Sequence, residues 1–468
     1  TIVSTFILAL AGLWIAAPAV GSGLLDPTAQ QATVDAALQT LFAQTAQPPD
    51  MTQTVAAAFS AAQTATAAAG LPAPVSVDAL QAADVIELPL LAGPVGTAAY
   101  LAPDGERIAY LNGTELCILD IDTANAYIQT TIAAGAAPAD GYSQVPDQIA
   151  GAACVSLEQV QAVDQEKVSW SPDGRYLVMT QDFFRRFKDA DLWVLDTETM
   201  TLADITNDER DDYPLDAAPG DLPPVDICPR WMPDGRVVFL RYGADPTTPA
   251  IYTIRPDGSD LQPVGQITAP QRFAVYALAV SQAGQLAYNF WLGDESLQAQ
   301  NGVWISALDG SDARQVWHDD QPNMVPGSLE WSPDGQYIAM NIPNAAYGMT
   351  YEPTTSFWRA VRVSDGQTIF FAPDQFVFSM GWSPEGSAVV YTTHDQLRSE
   401  KMGLYVAAEP GAPGRMLVPA SPDPAHPANS LIGTTPQQGQ VIPWTANGTV
   451  IVTHGGQDSL LIIRLAAP

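Results

Sequence analysis

The side chains with the widest chemical reach in this 468-residue chain are few and scattered. Its four histidines, His318, His394, His426 and His454, fall in separate stretches, and none has a partner at the short spacing a zinc site needs. His394 and His454 each follow an apolar, β-prone run, so both could face one side of a fold. Joined to carboxylates there, they leave a secreted lyase or hydrolase acting on carbohydrate or peptide as the alternative function. No G-x-S-x-G elbow, glycine-rich phosphate loop or haem Cys-His motif occurs. No catalytic, cofactor-binding or metal residue is therefore assigned. The run Asn207-Asp-Glu-Arg-Asp-Asp-Tyr213 offers Asp208, Glu209, Asp211 and Asp212 as oxygen ligands. A divalent cation would relieve their repulsion, so calcium stays open, although the spacing does not reproduce the D-x-[DN]-x-[DN]-G loop.

Recognition chemistry is better represented. Phe183-Phe-Arg-Arg-Phe-Lys188 sets Arg185, Arg186 and Lys188 among aromatic rings in a chain with only 19 basic residues. It forms either an intramolecular bridge to the acidic run, which ends at Tyr213, or an interface patch beginning at Phe183. Tyr347, Met349, Tyr351, Phe357 and Trp358 form a second aromatic group near the same face. Of the three cysteines, Cys154 and Cys228 could pair and leave Cys117 over, or those two could be ordinary buried thiols. Three cysteines do not make a disulfide scaffold.

The bulk composition limits partners. A net charge of -32 repels nucleic acid and anionic lipid surfaces, and favours basic proteins, cationic surfaces or divalent cations. A hydrophobic content of 47% supplies a real core and excludes global disorder. No Lys or Arg precedes Arg107, which marks a boundary between a tail and a domain. Residues 2–20 are apolar apart from Ser4 and Thr5, and as a helix would reach roughly 28 Å, about a bilayer core. The expectation is an anchor or docked apolar helix over residues 1–25, a signal peptide ending near Ala17-Pro18-Ala19 being the competing origin. A pilin-like start fits poorly, because the acidic residue expected there is missing. Residues 26–82 read as an Ala/Gln/Thr-rich helical stalk: Val34, Leu38 and Leu41, then Met51, Val55 and Phe59, recur at helical spacing around Pro48-Pro49. Asp50 is placed to cap the second helix.

From residue 98 onward one unit repeats. Its turns are Tyr100-Leu-Ala-Pro-Asp-Gly105, Trp170-Ser-Pro-Asp-Gly174, Trp231-Met-Pro-Asp-Gly235, Val280-Ser-Gln-Ala-Gly284, Trp331-Ser-Pro-Asp-Gly335, Trp382-Ser-Pro-Glu-Gly386 and Trp444-Thr-Ala-Asn-Gly448. The glycines lie 69, 61, 49, 51, 51 and 62 residues apart, the period of four-stranded propeller blades. Pro sets φ early in each turn, Asp bonds nearby amides and Gly takes the positive φ. A second strand follows (Tyr176-Leu-Val-Met179, Val237-Val-Phe-Leu240) and then a third (Leu192-Trp-Val-Leu-Asp196, Val303-Trp-Ile-Ser306). Fourth strands are weaker, as suits a solvent-near edge.

Repeated W-S-P-D-G turns with an L-W-V-x-D third strand resemble the TolB-like, or PD40 (WD40-like), β-propeller repeat, over about 370 residues. That resemblance implies an extracytoplasmic binding or scaffold protein in many cases, and the non-catalytic half of a peptidase in others. The expected fold is all-β: a seven-bladed propeller over residues 83–468. The last unit lacks a fourth strand, and Asp84-Val-Ile-Glu-Leu-Pro89 is a β-prone run with no blade of its own, so residues 84–89 are expected to close the ring.

Loop lengths suggest where function sits. The x-D-G turns join first to second strands and are minimal. Long excursions are expected at 134–167, 207–227 and 419–440 between blades, and at 182–189, 292–300, 341–356 and 394–402 between second and third strands. Those two classes emerge on one face, where recognition tends to reside. The resulting reading is a non-catalytic protein-binding or structural scaffold subunit of a membrane-associated or surface assembly. It would be extracytoplasmic and prokaryotic, with protein partners, membrane or apolar docking through residues 2–20, and no nucleic acid.

Overall fold

Strands buried on both faces need apolar residues at nearly every position, and the second and third strands of each repeat have them. Val237–Tyr242 and Gly403–Ala407 are buried almost throughout, whereas an outer strand such as Thr201–Asp204 alternates with solvent. Such segments can only be sandwiched between neighbouring sheets. A computed structural model of the chain describes residues 75–89, 99–112, 114–123, 126, 151–160, 163–164, 167–183, 188–209, 224–243, 245, 247–275, 277–318, 326–342, 356–393, 401–419, 441–445, 448–454 and 459–466. Within these residues seven antiparallel sheets form, six of them four-stranded in simple sequence order. The molecule is a seven-bladed β-propeller.

Blade 1 comprises Ala99–Leu101, Arg107–Asn112, Glu115–Asp120 and Ala153–Ser156, and blade 2 Ser169–Trp170, Tyr176–Thr180, Leu192–Asp196 and Thr201–Asp204. Blade 3 runs from Val225–Trp231 to Gln262–Gln266, blade 4 from Leu278–Val280 to Arg314–Trp317, blade 5 from Ser328–Trp331 to Thr368–Phe370 and blade 6 from Val377–Trp382 to Arg415–Pro419. The seventh sheet joins three strands in the order Gln81–Pro89, Ser459–Ala466, Val450–His454. Gln81–Pro89 pairs antiparallel with Ser459–Ala466 from Gln81↔Ala466 to Pro89↔Ser459. A strand from before blade 1 thus forms the outer edge of the last blade. On its inner side residues 441–445 take the first-strand position through isolated bridges, Trp444↔Ile451 within the blade and Val441↔Met380 to blade 6.

The core is a ring of inter-blade layers rather than one central cluster. Leu177, Met179 and Trp170 meet Leu116 and Ala109 between blades 1 and 2, and Val303 and Ile305 meet Leu329 and Ile338 between blades 4 and 5. Two tryptophans of the repeated turns staple these layers. The Trp170 indole donates to the Tyr100 carbonyl at 2.8 Å and that of Trp231 to the Ser169 carbonyl at 2.9 Å, each reaching the first strand of the preceding blade.

The serine after Trp has a separate job. Ser332 Oγ donates to Asp334 Oδ1 at 2.6 Å and accepts the Tyr337 amide at 2.9 Å, closing the turn across its mouth. Ser171 repeats this with Asp173 and Tyr176. The degenerate fourth turn keeps the geometry, with Gly284 at φ +77° and Ser281 Oγ accepting the Gln285 amide.

Two expectations are corrected. The stretch 134–167 does not simply connect blades, because Ala153–Ser156 inside it is the fourth strand of blade 1. Cys154 pairs not with Cys228 but with Cys117, its register neighbour on the adjoining strand, in a disulfide; Cys228 is buried and free. Residues 1–74 lie outside the described set, so the anchor expected at 1–25 and most of the stalk expected at 26–82 fall there. Among the described residues no helix is long and apolar enough to cross a membrane.

Candidate functional site

Antiparallel order assigns every connection to a face. The x-D-G turns and the third-to-fourth connections share one, and the second-to-third and blade-to-blade connections share the other. The strand ends that bound connections 181–191, 291–301, 342–357 and 394–402, and those that bound the blade-to-blade segments 157–168, 205–224 and 267–277, all lie on the second face. On the turn face the connections are short, such as 197–200 and 363–367, with the exception of 121–152 in blade 1. The loop-bearing face also carries Trp291, exposed at 52%, which opens the second-to-third connection of blade 4. Sequence reasoning missed it, since one tryptophan beside a strand end gives no sign of its direction.

The densest chemistry on this face lies where blades 2 and 3 adjoin. Asp189 and Asp191 come from connection 181–191, Asp204 and Asp208 from the exit of blade 2, and Asp226 from the start of blade 3. Local hydrogen bonds fix each segment. The Asp191 amide donates to Gln181 Oε1 at 2.7 Å, the Leu192 amide to Thr206 Oγ1 at 2.9 Å, and the Thr206 hydroxyl to Asp191 Oδ1 at 3.3 Å. Thr180 Oγ1 and the Asp226 amide tie the two blades through the carbonyls of Asp226 and Ala190.

Among the described residues the acids of this junction are drawn into two kinds of contact, ion pairing and backbone hydrogen bonds. Arg241 engages Asp226 with both ends of its guanidinium, Nε to Oδ1 at 2.6 Å and an Nη to Oδ2 at 2.5 Å. Even so, burial pushes the Asp226 carboxyl above its ordinary value. Burial, then the Asp208 charge, raises Asp189 to about 7. Burial and neighbouring Asp204 raise Asp191 to about 8, and burial raises Asp204 to about 6. Asp189 Oδ1 accepts the Ala190 amide, and Oδ2 is buried with no donor among the described residues, Asp208 acting on the carboxyl by charge and side-chain hydrogen bonding.

The residues expected to form an interaction site are only partly placed. Phe183 is buried, packed on Phe273, so its ring fills the layer between blades 2 and 3 instead of facing a partner. Phe357 and Trp358 are likewise core, Phe357 stacking edge-on against Phe376 and Phe378. Lys188 is exposed at the loop end, Asp208 is half-buried within the acidic group and Glu209 is exposed beside it. Arg185, Arg186, Asp211, Asp212, Tyr213, Tyr347 and Tyr351 lie outside the described residues. Asp189, Asp191, Asp204 and Asp226 escaped sequence reasoning because they are isolated acids on three segments. Only the D-x-D spacing at 189–191 offered a signal.

A second group, Glu115, Cys117 and Cys154, brings three metal-ligating side chains within 4.8 Å of one another. Its two sulfurs are bonded to each other, so neither is a thiolate available to an ion.

These features define a propeller with one elaborated face. No family model matches the chain, and no curated protein matches it by sequence. Solved structures do resemble it. A chain of the mitotic checkpoint complex is 12% identical with TM-score 0.48, covering 85% of this chain and 98% of that one. An oligogalacturonate lyase in complex with manganese is 13% identical with TM-score 0.46, covering 84% and 97%. An oligogalacturonate lyase from Vibrio parahaemolyticus is 13% identical with TM-score 0.46, covering 83% and 98%. Similarity at this level concerns chain path alone.

Proposed function

We propose that the chain is a non-catalytic binding scaffold that works outside the cytoplasm and docks protein partners on its loop-bearing face. The observation that carries this is that the long connections, 121–152 excepted, leave the rigid ring from strand ends on one face, where Trp291 stands exposed. Loops held by a stiff framework are where recognition concentrates, and large aromatic side chains are the usual anchors of protein interfaces. The Cys117–Cys154 bond favours an oxidising compartment, where such bonds persist. In the assembly expected here, residues 2–20 set location and the disc presents the loops.

A photoreactive residue at position 291, compared with one at Leu261, tests the docking face. Leu261 is 38% exposed but ends a third-to-fourth connection, on the turn face. Crosslinking in the native organism should yield a discrete protein adduct from 291 and none from 261. Adducts from 261 alone, or from neither, would overturn the assignment. Compartment is tested separately: Cys117 and Cys154 should resist maleimide labelling in intact cells until a reductant is added.

A further inference from the structure

Trp170, Trp231 and Trp331 each pack into the layer shared with the preceding blade, so the residue before each lies on the other side of the pleat. First strands of blades 1 to 5 contact one another in succession, and so line the axis of the ring. The position before the tryptophan, or before its equivalent, is filled in order by Tyr100, Ser169, Arg230, Ala279, Glu330, Gly381 and Pro443. Ser169, Arg230 and Glu330 are half-buried there, whereas Val168, Pro229 and Leu329, one residue earlier, are buried. Two of the three lack partners. Ser169 Oγ is buried without a hydrogen bond, and the Glu330 carboxylate accepts none and joins no ion pair among the described residues. Burial pushes the Glu330 carboxyl above its ordinary value, with the Arg230 charge opposing. Arg230 donates from one Nη to the Pro229 carbonyl at 2.9 Å and meets no carboxylate directly. Between Arg230 and Glu330 the ring offers only the Ala279 methyl, and beyond Glu330 only Gly381, where a Cβ would strike the Ile442 carbonyl. Buried polar groups without partners are costly, and each calls for something to pair with it.

We infer that Ser169, Arg230 and Glu330 bind a small zwitterion of the amino-acid class in the axial opening, at the turn end of the first strands. Arg230 and the Ser169 hydroxyl, on adjacent blades, receive the carboxylate of the ligand, and Glu330 receives its ammonium. A lone cation would leave Arg230 and Ser169 unmatched, and a lone anion would leave Glu330 so. A dipolar molecule meets both signs at once through charge-assisted hydrogen bonds, which are the strong ones. The small side chain of Ala279 leaves room for its skeleton between the two charged ends. The site binds and makes no bond, so it fits a non-catalytic chain. It lies toward the face opposite the elaborated loops, and therefore stands or falls independently of the docking proposal.

Thermal-shift screening of the full chain against the common amino acids, each at about 10 mM, with isothermal titration of those that raise the midpoint, is the direct test. At least one should bind, one per chain, with a dissociation constant of about 1 mM or tighter, the range open to so small a ligand with both charges met. Glu330→Gln and Arg230→Gln should each weaken it about tenfold or more, and Ser169→Ala about threefold. Methylammonium and acetate, the two halves alone, should each bind about tenfold more weakly or worse. Asp257→Asn, on an exposed third-to-fourth turn away from the axis, serves as the control and should bind as the parent does. Circular dichroism checks folding. If a charge variant fails to fold the other decides, and Ser169→Ala, which removes only a hydroxyl, decides if neither folds. No midpoint shift from any amino acid at about 10 mM overturns the site. So does binding of equal strength in the parent and in every folded site variant, or methylammonium or acetate binding as tightly as the amino acid.

Discussion

Single side chains in this protein are set by how much charge each blade junction must hide. Asp189, Asp191 and Asp204 have folded values of about 7, 8 and 6, all above the ordinary 3.8. A raised carboxyl means that the folded chain keeps protons the unfolded chain releases, so stability is full below the ordinary value and is lost as pH rises through the folded one. In chelator, thermal midpoints should fall steadily between about pH 4 and pH 8. Asp196, held low by Arg175, and Asp260, held low by Arg236, work the other way, but only as pH drops below the ordinary carboxylate range. Melting curves that rise from pH 5 to pH 8 in chelator would contradict the buried acidic group. The Arg241–Asp226 pair gives a second prediction. Arg241→Gln leaves a buried acid without its cation and should cost about 3–5 kcal/mol in urea unfolding. Adding Asp226→Asn to that variant should recover much of the loss.

At the scale of the turn and the strand, the repeated motif is a mechanical part whose residues have separable costs. Removing the hydroxyl in Ser332→Ala opens the clamp on Asp334 and Tyr337 and should cost about 1 kcal/mol. Gly335 and Gly386 both sit at positive φ, +71° and +87°. A Cβ on Gly335 meets nothing within 4 Å, whereas one on Gly386 would lie 2.6 Å from the Asp334 amide nitrogen of the neighbouring blade. Gly335→Ala should therefore cost only the left-handed backbone penalty, about 1–2 kcal/mol, and Gly386→Ala distinctly more. Equal midpoint shifts for the two would refute that blade-to-blade contact. The fourth strand of blade 1 depends on covalent help. Its disulfide closes a separation of 37 residues, so replacing both cysteines by serine should lower stability by about 3–4 kcal/mol on the chain-entropy account.

For the whole molecule, closure is the organising fact. Every blade but the last is complete from one continuous stretch, and the last borrows its outer strand from the segment before blade 1. Deleting residues 81–89 leaves Ser459–Ala466 as an open edge with unpaired backbone groups. Calorimetry of that deletion should show a lowered and broadened transition, and an unchanged endotherm would mean the ring does not rely on this strand. The elaborated face follows from the same closure. Because all blades run in the same sense around the ring, second-to-third and blade-to-blade connections accumulate on one side.

Much of the architecture was written locally. Turn residues such as Trp331-Ser-Pro-Asp-Gly335 dictate their own φ angles, and twice-buried strands such as Val237–Tyr242 need only apolar content to declare themselves. Blade number, the minimal first-to-second turns and the sides of most long connections therefore lay in the chain itself. What the tertiary structure alone decided is whatever depends on meetings between distant segments. Ala153–Ser156 is a strand because Cys117 lies opposite Cys154, not because four residues demand it. Phe183 is core because Phe273, 90 positions onward, meets it. Asp189, Asp208 and Asp226 act on one another only because two blades abut, and the energy of a charge depends on the neighbours and water around it, which no local run of residues encodes.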